Sequence, residues 1–239
     1  MGFDPNDLKV KLFADGANLS GMLEMYEKTY VKGLTTNPSL MRKAGIIDYK
    51  SFAREVLQFV TNKPISFEVL SDDFDEMIRQ AEEIASWADN TYVKIPITNT
   101  KGVSTFPVVK HLSGLGCKLN ITAILTEEQV RLISQALNPS ISSFVSIFAG
   151  RIADTGRDPE IVISKSISYL SHLPYVEIIW ASPRELLNIF QAENLGCHII
   201  TATNDLLHKL NLIGKDLTEY SLETVRMFKT DADESQYSL

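Results

Sequence analysis

Eight short runs rich in β-branched and apolar residues alternate with amphipathic stretches along the chain. The runs cover residues 11–16, 31–37, 65–70, 92–98, 118–125, 144–150, 176–181 and 198–202. Three amphipathic stretches carry helix start signals, because Asp48, residues 71–73 and Thr126 stand directly before a helical pattern and can cap its free N–H groups. This strand-then-helix order predicts an α/β fold with a parallel sheet.

The spacing of the units narrows the architecture. Eight units over 239 residues average about 30 residues each, which is the size of one strand, one helix and two short loops. We expect a (β/α)8 TIM barrel in a single domain, 1–239, with the barrel at about 10–213 and a C-terminal helical tail at about 214–239. A doubly wound open sheet is the alternative, but its Gly-rich first turn is absent, since the first turn reads DGANLSG.

Polar residues interrupt the predicted strands at regular positions. Asn120 and Thr122 alternate with apolar residues in KLNITAI, so they share one face of the strand. The same alternation predicts an inward position for Asp15, Thr35, Asn37, Ser66, Glu68, Lys94, Ser146, Trp180 and Ser182. One such residue could be a hydrogen-bonded core group. So many at the carboxyl ends of barrel strands predict an active site.

Lys94 is the least expected of these residues, because it stands between Val93 and Ile95 in a strand and lysine is rarely buried without a partner. Burial disfavours the ammonium form, and a neutral amine is the nucleophile of Schiff-base chemistry. A structural ion pair with Glu68 on the adjacent strand is an equally good interpretation. For catalysis, Glu68 working through a water with Thr122, and Asp15, could move the protons.

Two arginines follow strands six and seven. Arg151 and Arg184 come where barrel loops collect phosphate, and two guanidinium groups suit a phosphate dianion. Ser182 adds a hydroxyl to the same corner. Ordinary surface salt bridges are the alternative for each arginine.

Composition excludes several other functions. The net charge is −7, and no Lys/Arg cluster exceeds a pair, so we expect no nucleic-acid partner. Cys117 and Cys197 are the only cysteines, which leaves no zinc spacing and favours a reducing cytoplasm. The sequence has neither a leader-like start nor an apolar run of about 18 residues, so we expect no secretion and no membrane insertion. Walker, HExxH and nucleophile-elbow motifs are absent as well.

Two motifs resemble those of the transaldolase and fructose-6-phosphate aldolase family: GLTTNPSL at 33–40 and YVKIPIT at 92–98. The resemblance extends from Leu12 to about Thr203. It implies a (β/α)8 barrel that acts on sugar phosphates with no cofactor and no metal. By motif position, it implies that Lys94 forms the Schiff base, that Asp15 and Glu68 are the acid–base carboxylates, and that Thr122 holds the catalytic water. It further implies that Asn37 and Asn120 bind substrate hydroxyls and that Arg151, Ser182 and Arg184 bind phosphate. We add Thr35, Ser146, Phe148 and Trp180 to the predicted substrate-binding set because of their positions in the predicted strands.

The resemblance also separates two activities. Transaldolases of the family are similar to this chain in carrying Glu at position 68 and Phe at position 148, where the aldolases carry Gln and Tyr. It therefore implies transfer of a dihydroxyacetone unit from sedoheptulose 7-phosphate or fructose 6-phosphate to an aldose phosphate. A fructose-6-phosphate aldolase using the same imine and a non-catalytic phosphosugar-binding barrel are the alternatives.

Three features depart from the family pattern: an extra residue before Gly102, and Trp180 and Pro183 in WASPR. A bulky Trp180 on the inward face would reshape the phosphate end of the pocket. The short members of the family also imply a ring-shaped homo-oligomer, a pentamer or a decamer.

Overall fold

The computed structural model describes residues 3–235 and places eight parallel strands in a closed barrel, each strand paired with the next and the eighth with the first. The strands are β1 Lys11–Asp15, β2 Val31–Thr35, β3 Ile65–Glu68, β4 Thr91–Pro96, β5 Leu119–Ile124, β6 Ser143–Ile147, β7 Val176–Trp180 and β8 Ile199–Thr203. The predicted TIM barrel is confirmed.

Helices alternate with the strands along the chain, and all of them except the last contribute buried residues to the core. They are α1 Leu19–Glu27, α2 Pro38–Lys43, α3 Tyr49–Phe59, α4 Phe74–Ala85, α5 Phe106–Gly114, α6 Glu127–Ser134, α7 Ala149–Ala153, α8 Glu160–Leu170, α9 Leu187–Leu195, α10 Asn204–His208 and α11 Leu217–Glu234. Short 3-10 turns occupy Pro5–Asp7 and Lys209–Leu212. Within residues 3–235, none of these helices combines the length and the apolar character that crossing a membrane requires.

The helix start signals work as the sequence predicts. The Asp48 side chain accepts from the Ser51 N–H at the start of α3, and Asp73 accepts from the Glu76 N–H at the start of α4. Thr126 forms a full capping box at the start of α6. Each cap satisfies an N–H group that the helix leaves free.

Seven strands end one to three residues earlier than predicted, and in two of them a residue of the predicted strand end begins a helix instead. The predicted strand 31–37 stops at Thr35, and the Asn37 side chain caps α2 by accepting from the Leu40 N–H. The predicted strand 144–150 stops at Ile147, and Phe148 precedes α7. Asn37 and Phe148 therefore lie in the loops at the carboxyl end of the barrel.

The amino end of the barrel interior is filled by apolar side chains. Phe13, Tyr92 and Phe144 stack or meet edge to face, with ring centroids 4.1 Å apart for Tyr92–Phe144 and 5.7 Å for Phe13–Phe144. Gly33 makes room for them, since a Cβ on it would lie 2.4 Å from the Phe13 ring. This apolar floor closes the interior from below, so a ligand can enter only from the carboxyl end.

The inward position predicted for Trp180 is wrong. Its side chain is buried in the core cluster between the sheet and the helices, whereas Ile179 and Ala181 belong to the interior cluster. The inward side chains here are therefore those of Ile179 and Ala181, one residue away from the predicted inward positions. Ser182 nevertheless reaches the carboxyl end, because its backbone turns with φ 61°.

The C-terminal tail is helical, as predicted, in its described part. Helix α11 contributes no buried residue, and it exposes Leu217, Tyr220, Val225 and Phe228. These four side chains lie toward one side of the helix at 3.6 residues per turn. Residues 236–239 of the predicted tail lie outside the described residues.

Candidate active site

A cavity of about 390 Å³ opens at the carboxyl end of the barrel. It is lined by Asp15, Thr35, Asn37, Pro38, Ser39, Glu68, Lys94, Thr122, Ala123, Ser146, Phe148, Arg151, Ala181, Ser182, Pro183, Arg184, Thr201 and Thr203. Eleven of the thirteen residues predicted for the site are in this wall; Asn120 and Trp180 are not.

Lys94 lies deep in the cavity on β4, with 7% of its side chain exposed. Its Nζ donates to the Thr36 carbonyl at 2.9 Å and lies 3.4 Å from Oε2 of Glu68. The distance to Glu68 exceeds the 2.7–2.9 Å typical of a charge-assisted hydrogen bond. The Lys94 Nζ thus makes a hydrogen bond to a carbonyl and a longer contact with a carboxyl group.

Glu68 ends β3 beside Lys94 with 15% of its side chain exposed. Burial raises the pKa of this carboxyl, the neighbouring Lys94 opposes the shift, and the nearby Asp15 adds to it. A carboxyl of raised pKa exchanges protons closer to neutrality than an exposed one. Glu68 is therefore suited to both accept and return a proton beside Lys94.

Asp15 ends β1 within a chain of hydroxyls. The Thr35 hydroxyl donates to Oδ1 of Asp15 at 2.8 Å and lies 2.6 Å from the Thr201 hydroxyl. Burial raises the pKa of Asp15, against the lowering effects of Lys94 and of the Thr35 hydrogen bond. Two carboxyls of raised pKa thus share one lysine, so the site can hold a proton and release it.

Thr122 has an unsatisfied hydroxyl in the cavity wall. The side chain is almost fully buried, yet its Oγ1 has no hydrogen-bond partner in the structure. Buried hydroxyls are nearly always paired. The next residue, Ala123, takes a left-handed conformation with φ 59° where the β5–β6 register shifts, so the wall here is strained in the way that functional sites often are.

Asn120 lies behind the wall rather than in it. Its carboxamide nitrogen donates to the Ser66 hydroxyl at 2.9 Å, and its oxygen accepts from the Ser146 hydroxyl at 2.7 Å. The side chain is fully buried. Of Asn120, Ser66 and Ser146, only Ser146 lines the cavity, so the expected contact of Asn120 with a substrate hydroxyl stays a prediction.

The corner between β6 and β7 holds the predicted phosphate ligands. Nη1 of Arg184 donates to the Ser182 hydroxyl at 3.0 Å, and Arg151 lines the same corner from α7. The other edge of the Arg184 guanidinium is bound by Asp154, whose carboxyl pKa it lowers. Asp154 thus fixes the direction of Arg184, and the sequence analysis did not identify it.

Gly150 allows this corner to close. Its α-carbon lies so near the backbone of Ser182 that an added Cβ would be 1.6 Å from the Ser182 carbonyl oxygen. Only a residue without a side chain fits there. The resulting approach brings α7 and Ser182 together.

The remaining predicted residues lie around the mouth. Phe148 packs partly on the interior apolar cluster and lines the cavity. Asn37 also lines it, with its side-chain oxygen used by the α2 cap. Thr201 and Thr203 on β8 were missed by the sequence analysis, although their alternation in IITAT is the signal that identified the other strands.

The segment before Gly102, where the resemblance predicts an extra residue, lies outside the cavity. Residues 99–103 form a tight turn in which the Gly102 N–H donates to the Asn99 carbonyl at 3.0 Å, and the Thr100 N–H and hydroxyl donate to Asp72. None of these residues lines the cavity.

Chemically, the cavity offers one primary amine, two carboxyls that accept protons and a cationic corner. Across residues 3–235, no group of three or more His, Cys, Asp or Glu side chains is arranged to hold a metal ion. The amine and the cationic corner lie on β4 and after β6–β7, on different sides of the barrel axis. A molecule with a carbonyl at one end and an anionic group at the other matches this layout.

The comparisons with known proteins agree with one another. The family model described as Transaldolase/Fructose-6-phosphate aldolase matches residues 12–239. A protein of Thermoanaerobacter sp. (strain X514) named "Probable transaldolase" is 35% identical over 223 residues, 93% of this chain and 96% of its own. One of the same name from Methanococcus maripaludis (strain C5) is 34% identical, over 91% of this chain and 100% of its own. A solved structure titled "QR15, an Aldolase" shares the fold, with a TM-score of 0.54 and 12% identity over 87% of this chain and 99% of its own.

Proposed function

The chain belongs to the transaldolase/fructose-6-phosphate aldolase family, and from this premise we propose that it is a transaldolase. It transfers a dihydroxyacetone unit from a ketose phosphate, sedoheptulose 7-phosphate or fructose 6-phosphate, to an aldose phosphate, through a Schiff base on Lys94. Family membership makes the chain an enzyme of the transaldolase or aldolase type. The observation that carries the proposal is the convergence of Lys94, Glu68 and Asp15 at the bottom of one cavity.

In the first step, the neutral Lys94 amine attacks the ketose carbonyl carbon. The carbinolamine oxygen must then leave as water, and this needs a proton. Glu68 lies 3.4 Å from Nζ, and its pKa is raised by burial, so it can supply that proton and take up the one that Nζ loses. The unpaired Thr122 hydroxyl is suited to hold a water between Glu68 and the substrate.

In the second step, the bond between C3 and C4 breaks. The hydroxyl on C4 loses its proton as it becomes the aldehyde of the leaving aldose, and the electrons of the bond pass into the iminium to give an enamine. Asp15 takes that proton, because its carboxyl faces the same cavity as Lys94 and Glu68. The same group returns the proton when the enamine attacks an acceptor aldehyde.

The phosphate group of the substrate binds at the opposite corner, to Arg151, Ser182 and Arg184. Two guanidinium groups with a hydroxyl suit a dianion better than any neutral sugar terminus. Asp154 on Arg184 orients the guanidinium but leaves Nη1 and Ser182 directed at the cavity. Ordinary salt bridging therefore accounts for only part of the Arg184 contacts.

The structural interpretation of the Lys94–Glu68 pair is weaker than the catalytic one. A pair that served only stability would close tightly and exclude water, because one-sided desolvation of a charge is costly. Here the two groups are 3.4 Å apart, line an open cavity and share it with a third ionisable group, Asp15.

The proposal is tested by mixing fructose 6-phosphate with erythrose 4-phosphate and following sedoheptulose 7-phosphate. We expect transfer by the native enzyme and no release of free dihydroxyacetone, and we expect Glu68→Gln to reduce transfer strongly, since the amide cannot exchange a proton. Release of dihydroxyacetone without transfer would indicate the aldolase alternative. If neither sedoheptulose 7-phosphate nor dihydroxyacetone forms, the phosphosugar-binding barrel is the alternative that remains.

We also propose that the chain forms a homo-oligomer in which α11 contacts a second copy. The support is the row of exposed apolar side chains Leu217, Tyr220, Val225 and Phe228 on a helix with no buried residue, since exposed apolar faces of this kind mark interaction surfaces. The number of copies and the cytoplasmic location stay predictions from the sequence.

A further inference from the structure

Tyr49, the first residue of α3, places its hydroxyl against the backbone of Glu68. The hydroxyl donates to the Glu68 carbonyl at 2.8 Å and accepts from the Glu68 N–H at 2.7 Å. The ring packs against Phe67 and Trp87, with centroids 6.4 and 6.1 Å away. One side chain therefore satisfies both backbone groups of a residue in the active-site wall.

Of these two groups, only the N–H would ordinarily pair with the chain after β2, because the position that the Glu68 carbonyl would meet there is Pro38, which has no N–H. Along the β2–β3 ladder, the Leu34 N–H donates to the Pro64 carbonyl at 2.8 Å, and the Thr36 N–H donates to the Ser66 carbonyl at 3.3 Å. The parallel ladder alternates donors between strands, so its next rung would run from the Glu68 N–H to the Thr36 carbonyl. That rung is absent, because Tyr49 takes the Glu68 N–H instead.

The Thr36 carbonyl, without this ladder bond, accepts from Lys94 instead. Its Nζ lies 2.9 Å from the Thr36 oxygen, which is buried at the end of β2. Tyr49 thus binds the backbone of Glu68, and the Thr36 carbonyl, which has no ladder bond to Glu68, binds Lys94.

We propose that Tyr49 is a positioning residue of the active site, whose hydroxyl ends the β2–β3 ladder so that Lys94 and Glu68 are held in their reactive arrangement. This inference rests on the proposed function for its meaning in catalysis. Tyr49 does not line the cavity, so it acts only through Glu68 and Thr36.

Removing the hydroxyl should therefore disturb chemistry more than binding. In Tyr49→Phe, the Glu68 N–H loses its acceptor, and the nearest replacement is the Thr36 carbonyl, in competition with Lys94. We expect imine formation to slow about tenfold, while KM changes less than twofold, because Arg151, Ser182 and Arg184 lie across the cavity. We also expect the acid limb of the pH–rate profile to move to higher pH, since looser contact with Lys94 raises the pKa of Glu68.

The matched control is Tyr92→Phe, which removes another tyrosine hydroxyl, the one 2.8 Å from the Ser142 hydroxyl. Tyr92 belongs to the apolar floor and does not line the cavity. The experiment compares the two variants in single-turnover borohydride trapping of fructose 6-phosphate, in kcat and KM, in pH profile and in Tm. Equal trapping rates and identical pH profiles for Tyr49→Phe and the native enzyme would overturn the inference.

Two further measurements keep the test decisive. If Tyr49→Phe does not fold, 3,5-difluorotyrosine at position 49 replaces it, because this residue keeps the ring and the hydroxyl but has a weaker acceptor oxygen. We then expect borohydride trapping of fructose 6-phosphate to be two- to fourfold slower, and an unchanged rate would contradict the inference. Reductive methylation of Lys94 by formaldehyde and cyanoborohydride needs no sugar. If the native enzyme traps no sugar, the proposed function fails, and the inference then stands or falls on whether Tyr49→Phe alone changes the methylation rate of Lys94.

Discussion

Replacing Gly150 by alanine should disable the phosphate corner while leaving the lysine end of the cavity in place. The new Cβ would lie 1.6 Å from the Ser182 carbonyl oxygen, whereas ordinary contact begins at 3.4 Å, so 3.4 − 1.6 = 1.8 Å of separation must be gained. The obstacle is backbone, and Ser182 already holds a left-handed conformation. Neither side can yield by a rotamer change.

The displacement has two measurable costs. Misplacing a binding group by about 1 Å can reduce catalysis about 100-fold, so we expect kcat/KM for fructose 6-phosphate to fall by about that factor. Overpacking costs about 1–3 kcal/mol, of which the higher helix propensity of alanine offsets at most about 1 kcal/mol. We expect a net loss of at most about 3 kcal/mol in the free energy of unfolding.

The assay compares fructose 6-phosphate with unphosphorylated fructose in the native enzyme and in Gly150→Ala, with urea unfolding of both. The loss of kcat/KM should be much larger for the phosphorylated sugar, since in the proposed function Ser182 and Arg184 bind the phosphate group. Gly114→Ala is the control, because a Cβ at this position in α5 has nothing within 4 Å; we expect unchanged activity and a gain of up to about 1 kcal/mol. Equal losses for both sugars, or full activity of Gly150→Ala, would refute the reasoning.

Three other predictions follow from the same structure. Burial raises the pKa of Asp15, so the folded state binds the carboxyl proton more tightly than the unfolded state does. Stability therefore falls as pH rises from about 3.8 through the raised pKa. Asp15→Asn should raise Tm at pH 7 and abolish transfer, and a lower Tm would contradict this. His198 accepts from the Ile178 N–H through Nδ1, and burial lowers the pKa of His198. The stability that neutral His198 contributes is therefore complete above pH about 6.5 and is lost as pH falls through the lowered pKa. In His198→Asn, which keeps an acceptor, the free energy of unfolding in urea should change less between pH 7 and 5 than in the native protein, and an equal change would contradict this. Phe228→Ser should lower the molar mass measured by light scattering if α11 contacts a second copy, whereas Glu234→Ser should not; equal masses for all three proteins would refute the role of α11.

The sequence predicts most of the barrel and most of the cavity wall, because alternation in parallel strands is a strong signal when polar residues recur at one parity. Lys94 and Thr122 illustrate it, and Asp48, Asp73 and Thr126 show the same for helix starts. Where a strand ends is harder to predict. Asn37 and Phe148 belong to helix entries, since their capping positions depend on the path of the chain rather than on composition.

Other features depend on three-dimensional packing that no local pattern encodes. Trp180 was placed inward from its parity with Ser182, but Ser182 reaches the cavity through a left-handed backbone, so the two residues do not share a face. Asn120 has the right parity yet lies behind Ser146, because depth along the barrel axis is set by the stagger of the strands. Tyr49, Asp154 and Gly150 act through contacts between elements distant in sequence, and their local sequences carry no signal of this.

The central claim is that Lys94 forms an imine with a ketose phosphate. Its most direct test is the mass of the protein and of its Lys94 peptide after incubation with fructose 6-phosphate and borohydride, for the native enzyme and for Lys94→Met. The account predicts a reduced sugar adduct, a three-carbon unit or the whole ketose, on Lys94 of the native enzyme and none on the variant. A native enzyme without adduct, or an adduct that persists in Lys94→Met, would contradict it.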